Sequence, residues 1–303
     1  MSTKLFGRRW FVSVEGVDVS NLDIEFQIHK SLRPEPNTCR LKIYNLSQAN
    51  RDRIEALNLY EPVKGQSGKR QSAEASAAKR GRAPKAGRIA VEVYAGYEGD
   101  LFRGKPPLLF RGDLRRAIST REGPDWVTEI EGEDGGRSIL TARVAATLNR
   151  GTTVGQAVRM CADIMGVGIG NYLEFSEEMS RAFPTGAVLD GPAQRELSGI
   201  LRRLGMQWSV QNGVLQFTKN GKTNDQRLAP ALSSVSGMVG DPARNATGEV
   251  EATSLLIPGV YPGGYVMLQT QRYPGLYSVQ VVDHIGSTFG NDWYHKIALT
   301  PAA

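Results

Sequence analysis

Residues Lys30–Ser47 read KSLRPEPNTCRLKIYNLS. Pro34 and Pro36 forbid a helix at the start of this stretch, because each fixes φ and lacks an N–H. Cys39, Leu41 and Ile43 then alternate with Arg40, Lys42 and Tyr44. That period of two predicts a strand with one buried face. Asn45-Leu46-Ser47 stops the strand, and Ser47 is placed to cap a short helix from Gln48 to about Leu57, with Ile54 and Leu57 on one face.

Strand patterns continue on both sides. Upstream, Trp10, Val12 and Val14 alternate with Phe11, Ser13 and Glu15, predicting a strand from Trp10 to Val19. Ile24, Phe26 and Ile28 predict the next, after a turn near Asp18–Asn21. Downstream, Ile89, Val91 and Val93 run into Ala95-Gly96-Tyr97, followed by a strand at Leu108–Asp113. Trp126, Thr128 and Ile130 form another after the turn Glu122-Gly123-Pro124-Asp125, and Glu131 to Gly136 ends it. Short strands about ten residues apart point to a sandwich or barrel.

The period then changes. Thr153-Val154-Gly155-Gln156 is a capping box opening a helix whose apolar stripe is Val154, Ala157, Val158, Cys161 and Met165, ended by Gly166. A second helix starts near Asp190-Gly191-Pro192, with Leu197, Ile200, Leu201 and Leu204 as its buried face and Gly205 at its end. Asn212-Gly213 between the alternating runs Trp208–Gln211 and Val214–Phe217 predicts a hairpin. After Lys222 the strand pattern returns, in Val266 and Leu268, in Tyr277, Val279 and Val281, and in Trp293, His295, Ile297 and Leu299. The fold class expected is mixed and mainly β.

The chain has 303 residues, enough for two or three domains. No run of about 18 apolar residues is present, so no membrane span is expected. The N-terminal MSTKLFGRRWFVSVEG has neither an apolar core region nor a small-residue cleavage site, so no signal peptide is expected. Cys39 and Cys161 lie in different elements, and the histidines are only His29, His284 and His295, which predicts buried thiols rather than a disulfide or a zinc site.

The net charge of +6 is concentrated in one segment. Lys64–Arg88 holds eight basic residues against Glu74 alone, a balance of +7 that leaves −1 for the remainder. From 63 to 88 the segment has almost no large apolar side chain, and it is expected to be a flexible basic insertion that cannot offset its ordering entropy. Three roles are open to it: a solvated loop, a tether that orders on an acidic neighbouring subunit, or contact with DNA or a phospholipid surface through Lys69, Arg70, Lys79, Arg80, Arg82 and Lys85. It lacks aromatics for base stacking, so any nucleic-acid contact would be sequence-independent.

Catalytic signatures are weak. Gly166-Val167-Gly168-Ile169-Gly170 follows a helix, whereas a dinucleotide-binding turn follows a strand. Asp283 and His284 are adjacent on a strand and point to opposite faces. Glu131, Glu133 and Asp134 would suit a cell-wall hydrolase, but a solvated turn is the commoner meaning of such a cluster. No catalytic residue, metal site or cofactor is predicted.

The order of the segments is more specific than any one of them. PNTCRLKIYNLS and its helix precede IAVEVYAGYEGDLFRG, LLFRGDLRRAIST and WVTEIEGEDGG. LGMQWSVQNGVLQF, EVEATSLLIPGVYPGGYVML and GLYSVQVVDHIGSTFGNDWYHKIAL follow. This order resembles the baseplate hub protein of tailed phages, the Mu-like relative of the hub of contractile tails. The resemblance covers nearly the whole chain. It implies β-barrel-like domains at 1–147 and 223–303 flanking a small α+β domain at 148–222. It further implies a homotrimeric ring, made in the host cytoplasm and placed in the virion tail baseplate. That ring would adapt the hexameric tail tube protein to a separate trimeric central spike protein, line the channel and meet the tape measure protein. It implies a structural role and no enzyme. The runner-up is a sequence-independent polyanion-binding module acting through 64–88.

Overall fold

The computed structural model describes residues 6–57, 90–219 and 229–302. The segment Lys64–Arg88, with Lys69, Arg70, Lys79, Arg80, Arg82 and Lys85, lies outside the described residues.

The first region holds β1 (Arg8–Val14), β2 (Val17–Val19), β3 (Ile24–Ser31), β4 (Thr38–Tyr44), α1 (Gln48–Glu55), β5 (Ala90–Tyr97), β6 (Leu108–Glu122) and β7 (Asp125–Glu133). In β4 the period of two is realised: Cys39, Leu41 and Ile43 are buried while Arg40 and Lys42 face the other side. The Ser47 side chain accepts from Asn50 N and starts α1, which buries Ile54. α1 ends at Glu55, short of Leu57, which still packs partly buried on the core.

Two expectations are corrected here. The strand expected from Trp10 to Val19 is a hairpin, broken at Glu15-Gly16 with φ of 44° and 76°. Two consecutive positive φ values match the right-handed twist of the flanking strands, so Val14 pairs with Val17 instead of continuing. The strand at Leu108–Asp113 continues to Glu122, because the turn at Gly123-Pro124 lets it pair along nearly all of β7.

The middle region holds α2 (Gly136–Thr141), β8 (Arg143–Leu148), α3 (Val154–Met165), β9 (Gly168–Ile169), α4 (Ser176–Ser180), β10 (Ala187–Pro192), α5 (Ala193–Arg202), β11 (Met206–Gln211) and β12 (Val214–Lys219). Both capping-box bonds of α3 form: Gln156 N donates to Thr153 Oγ1 at 3.2 Å and Thr153 N to Gln156 Oε1 at 2.8 Å. Gly166 ends α3 in the left-handed region at φ 64°. The stripe Val154, Ala157, Val158, Cys161 and Met165 packs with Leu197, Ile200 and Leu201 of α5 in one apolar cluster that also takes Trp208 and Phe217. Asp190-Gly191-Pro192 closes β10 rather than opening the helix, which begins at Ala193.

The third region holds β13 (Ala231–Leu232), β14 (Met238–Arg244), β15 (Val250–Leu255), β16 (Tyr265–Leu268), β17 (Gly275–Ser287) and β18 (Trp293–Pro301). Its cluster gathers Val250, Val266, Val279, Val282, Ile297 and Leu299. A bulge between Val279 and Val281 shifts the phase of β17, so Val282 is buried where the plain alternation predicts Val281.

The first and third regions share one sheet. Its strands run β14-β15-β18-β17-β3-β4-β7-β6-β5-β1-β2, with β16 on β17 and β13 on β16. The seam is the antiparallel pair β3–β17. Among the described strands the path is open, and no ring of pairings closes on itself. Trp293 of the third region accordingly belongs to the apolar cluster of the first, edge-on to Phe26 with ring centroids 5.5 Å apart.

Candidate assembly surface

The strand path contains a repeat. The order β3-β4-β7-β6-β5-β1 recurs as β14-β15-β18-β17-β16-β13, with each member at the same place in chain order. The pairings match in sense except the last, where β1–β5 is antiparallel and β13–β16 parallel. The long strands β6 and β17 each carry one bulge against the strand that follows, at Arg115 and at Gln280. Superposing the bulges places Ala117 on Val282, Ser119 on His284, Thr128 on His295, Ile130 on Ile297 and Trp126 on Trp293. A hydrogen-bonded polar pair occupies the same register in both halves: Ser119 Oγ and Thr128 Oγ1 are 3.1 Å apart, and His284 Nδ1 and His295 Nδ1 are 2.8 Å apart.

The polar face of β17, β3, β4 and β7 is concave. Two adjoining cavities of about 650 and 310 Å³ share Gln27, Arg40 and Glu131 and form one trough. Its charges pair across strands: Lys42 Nζ lies 3.1 Å from Glu129 Oε1, Arg115 Nη1 3.3 Å from Glu133 Oε2, and His29 Nδ1 2.7 Å from Asp283 Oδ1. The bond to Asp283 raises the His29 pKa, against the opposing pull of partial burial. The side chains of this wall are charged and partly exposed.

The middle region is bolted to the sheet at the Asn212-Gly213 turn, whose φ values are 56° and 81°. Asn212 N and Gly213 N both donate to the Asp134 carboxylate, the latter at 2.7 Å. Lys30 Nζ donates to Asn212 Oδ1 at 3.0 Å and to Leu109 O at 3.1 Å. Asn37 Nδ2 donates to Val210 O at 2.7 Å, and Gln211 Nε2 to Ser31 O at 2.8 Å. Burial pulls the Lys30 pKa down to about 8, against the attraction of Asp134, and pushes the Asp134 pKa up. Lys30 shares the inward phase of Phe26 and Ile28, and a lysine at that phase is the sequence signal of the joint.

The acidic cluster is therefore dispersed. Glu131 and Glu133 belong to β7 and line the trough. Asp134 is fully buried beneath the turn, which corrects the expectation of a solvated loop: two backbone N–H groups and the nearby lysine compensate its burial. Asp283 faces the trough and His284 the core, on opposite sides of β17 as expected. Gly166–Gly170 joins α3 to β9 and the following loop. Cys39 and Cys161 are buried free thiols. Among the described residues no group of three His, Cys, Asp or Glu is arranged to hold a metal ion, and no helix is long and apolar enough to cross a membrane.

No curated protein sequence matches the chain. Solved structures share its fold. The prophage MuSo2 43 kDa tail protein from Shewanella oneidensis superposes with a TM-score of 0.61 at 11% identity, covering 98% of this chain and 99% of that one. The tail protein from Neisseria meningitidis MC58 gives 0.60 at 10% identity, covering 97% and 96%. The E. coli c3393 protein, a component of the type VI secretion system, gives 0.55 at 9% identity, covering 96% and 77%. The family model described as "Baseplate hub gp41" matches residues 12–286, from β1 into β17 and through all three regions. This chain belongs to the baseplate hub gp41 family.

Proposed function

We propose that three copies of this chain form a ring that joins a hexameric tail tube to a trimeric central spike. The family makes the chain a structural protein of the phage tail baseplate. The observation that carries the finer reading is the repeat of six strands within one chain. Two similar units per copy give a trimer six near-equivalent units, enough to meet six tube subunits on one face while three-fold symmetry is kept for the spike on the other. The charged trough fits the wall of the channel, where the tape measure protein would lie, and the buried joint at Asn212-Gly213 would hold the middle region at a fixed angle to the ring. The role is scaffolding, with no reaction assigned.

The test is mass and imaging of the purified protein across a range of concentrations. A particle of three times the 33.1 kDa chain mass, with a three-fold outline and a near-sixfold face, is expected. A monomer or dimer at every concentration overturns the trimer.

A further inference from the structure

The joint beneath the Asn212-Gly213 turn holds the parts of a reaction as well as of a hydrogen-bond network. Lys30 is buried on the inward phase of β3, and its Nζ donates to two acceptors, Leu109 O and Asn212 Oδ1. The two hydrogens of a neutral amine are enough for both, and its lone pair is then free. Burial brings the Lys30 pKa down to about 8. About a tenth of the molecules therefore hold it as the neutral, nucleophilic amine at pH 7, against fewer than about one in a thousand for an exposed lysine.

The amide opposite is set to receive that amine. Asn212 Oδ1 lies 3.0 Å from Nζ and also accepts from Arg111 N at 3.1 Å. The Asn212 Cγ is one bond beyond an atom that Nζ already touches, and a backbone N–H already sits on the oxygen where negative charge would build. Gly213 N is the usual competitor for the same Cγ in an Asn-Gly sequence. Here it is held on Asp134 Oδ1 at 2.7 Å.

We propose that the folded chain joins Lys30 to Asn212 through an amide bond. Rotation about the Lys30 Cε–Nζ bond exchanges the N–H on Oδ1 for the lone pair. The lone pair attacks Cγ, the C=O electron pair moves onto Oδ1, and on its return the Cγ–Nδ2 bond breaks. One proton passes from Nζ to Nδ2, which leaves as ammonia. One amine and one primary amide thus give one secondary amide and one ammonia, with no oxidant, reductant or cofactor. Asp134 is a positioning residue: it fixes the turn through Asn212 N and Gly213 N, and its charge acts on Lys30, where positive charge builds during the attack. The other titratable group coupled to Lys30 is His284, which burial keeps neutral. The bond ties β3 of the first region to the β11–β12 turn of the middle region, 182 positions away in the chain, so the joint would hold under load.

Intact mass and a tryptic digest of the purified, reduced chain test the bond. The parent should be lighter than its sequence by one ammonia. Lys30→Met and Asn212→Gly should each restore the full mass, the glycine keeping the positive φ of the turn. Trypsin should release a branched peptide joining Trp10–Arg40 to Leu204–Lys219, because a bonded Lys30 is not cut and Arg33 precedes proline. Parent chain at full mass, with Trp10–Lys30 and Leu204–Lys219 as separate peptides, overturns the proposal and leaves Lys30 a hydrogen-bonded structural lysine. An ammonia lost instead to a cyclic imide at Asn212-Gly213 would persist in Lys30→Met and yield to hydroxylamine, and it overturns the proposal as well. The parent supplies the first reading, so no variant need fold for the bond to be refuted. In cell-free synthesis sampled over time, the rate of mass loss should climb with pH to a midpoint near 8. Asp134→Asn should slow it about tenfold and move that midpoint lower, since Asp134 holds the Lys30 pKa up. An unchanged rate and midpoint in a folded Asp134→Asn protein would remove Asp134 from the reaction.

Discussion

The two halves of the sheet repeat one topology with different interiors. The first half fills its centre with Phe110, Ile130 and Ile43 and carries a helix, α1, after β4. The second runs from β15 to β16 through the turns at Pro258-Gly259 and Pro262-Gly263. At one shared register position the first half has a hydroxyl pair, Ser119 and Thr128, and the second has His284 and His295. The topology therefore depends on strand order and bulge position more than on the identity of the groups it buries. Energetically the halves differ: hydroxyls titrate in neither state, whereas the imidazoles are held neutral by burial and become protonated on unfolding below their ordinary pKa.

The largest expected difference lies at the counterpart tryptophans. Trp293 is 1% exposed and packs edge-on to Phe26 across the seam, whereas Trp126 is 38% exposed and takes its main contact from the Arg51 guanidinium 4.2 Å from its ring. Trp293→Ala should cost about 3–5 kcal/mol, and Trp126→Ala below about 1 kcal/mol, read from urea midpoints at constant slope. Equal losses would mean that the seam is not where the chain stores its stability.

Next in size is Gly286, opposite Phe26. A Cβ there would strike the ring of Phe26, which is itself buried against Trp293 and has little room to yield. Gly286→Ala should cost about 1–3 kcal/mol, while its counterpart Arg121, exposed, should accept alanine within about 0.5 kcal/mol in the monomer. A Gly286→Ala protein as stable as the parent would show the seam to be loose.

The smallest effect, per pH unit, belongs to the histidine pair. Burial is the main cause that lowers both, His295 to about 4 and His284 well below its ordinary value. His295 Nε2 lies 3.0 Å from Ile257 O and opposes that shift by donating to it, while Lys30 adds to the lowering of His284. A depressed histidine is neutral in the folded state while the unfolded chain protonates below about 6.5, so stability is full above that pH and lost as pH falls toward 4. The slope should be about 1.4 kcal/mol per unit for His295 alone. His29, raised by Asp283, contributes in the opposite sense but is half exposed and screened. Giving the second half the groups of the first, His284→Ser with His295→Thr, should lower stability at pH 7 and flatten the profile between pH 6.5 and 5. An unchanged slope in that variant would place the acid sensitivity elsewhere.

Much of the local structure was legible in the residues alone. The alternation in β4, the Thr153–Gln156 box and Gly166 at the ends of α3, and the Asn212-Gly213 hairpin each depend on neighbours within a few positions, where dihedral preferences and caps act. The order of these segments also carried the family. The Glu15-Gly16 turn was missed because Val12, Val14, Val17 and Val19 are all buried and its break in phase is one residue wide. Bulges escape for the same reason: one inserted residue in β17 exchanges Val281 for Val282 in the core, and no local signal marks it. Asp134 read as solvated because the turn that buries it lies 78 residues away. The seam is the extreme case. Ile24–Ser31 and Gly275–Ser287 each announce a strand, but which edges meet is decided by what else has packed, since any strand edge offers the same backbone donors and acceptors. The sequence by itself determined most of the elements, the inward faces of those without a bulge, and the family. Only the tertiary structure decided that the two halves share one sheet, because strand partners so far apart in the chain are selected by the closing of the core around Phe26 and Trp293.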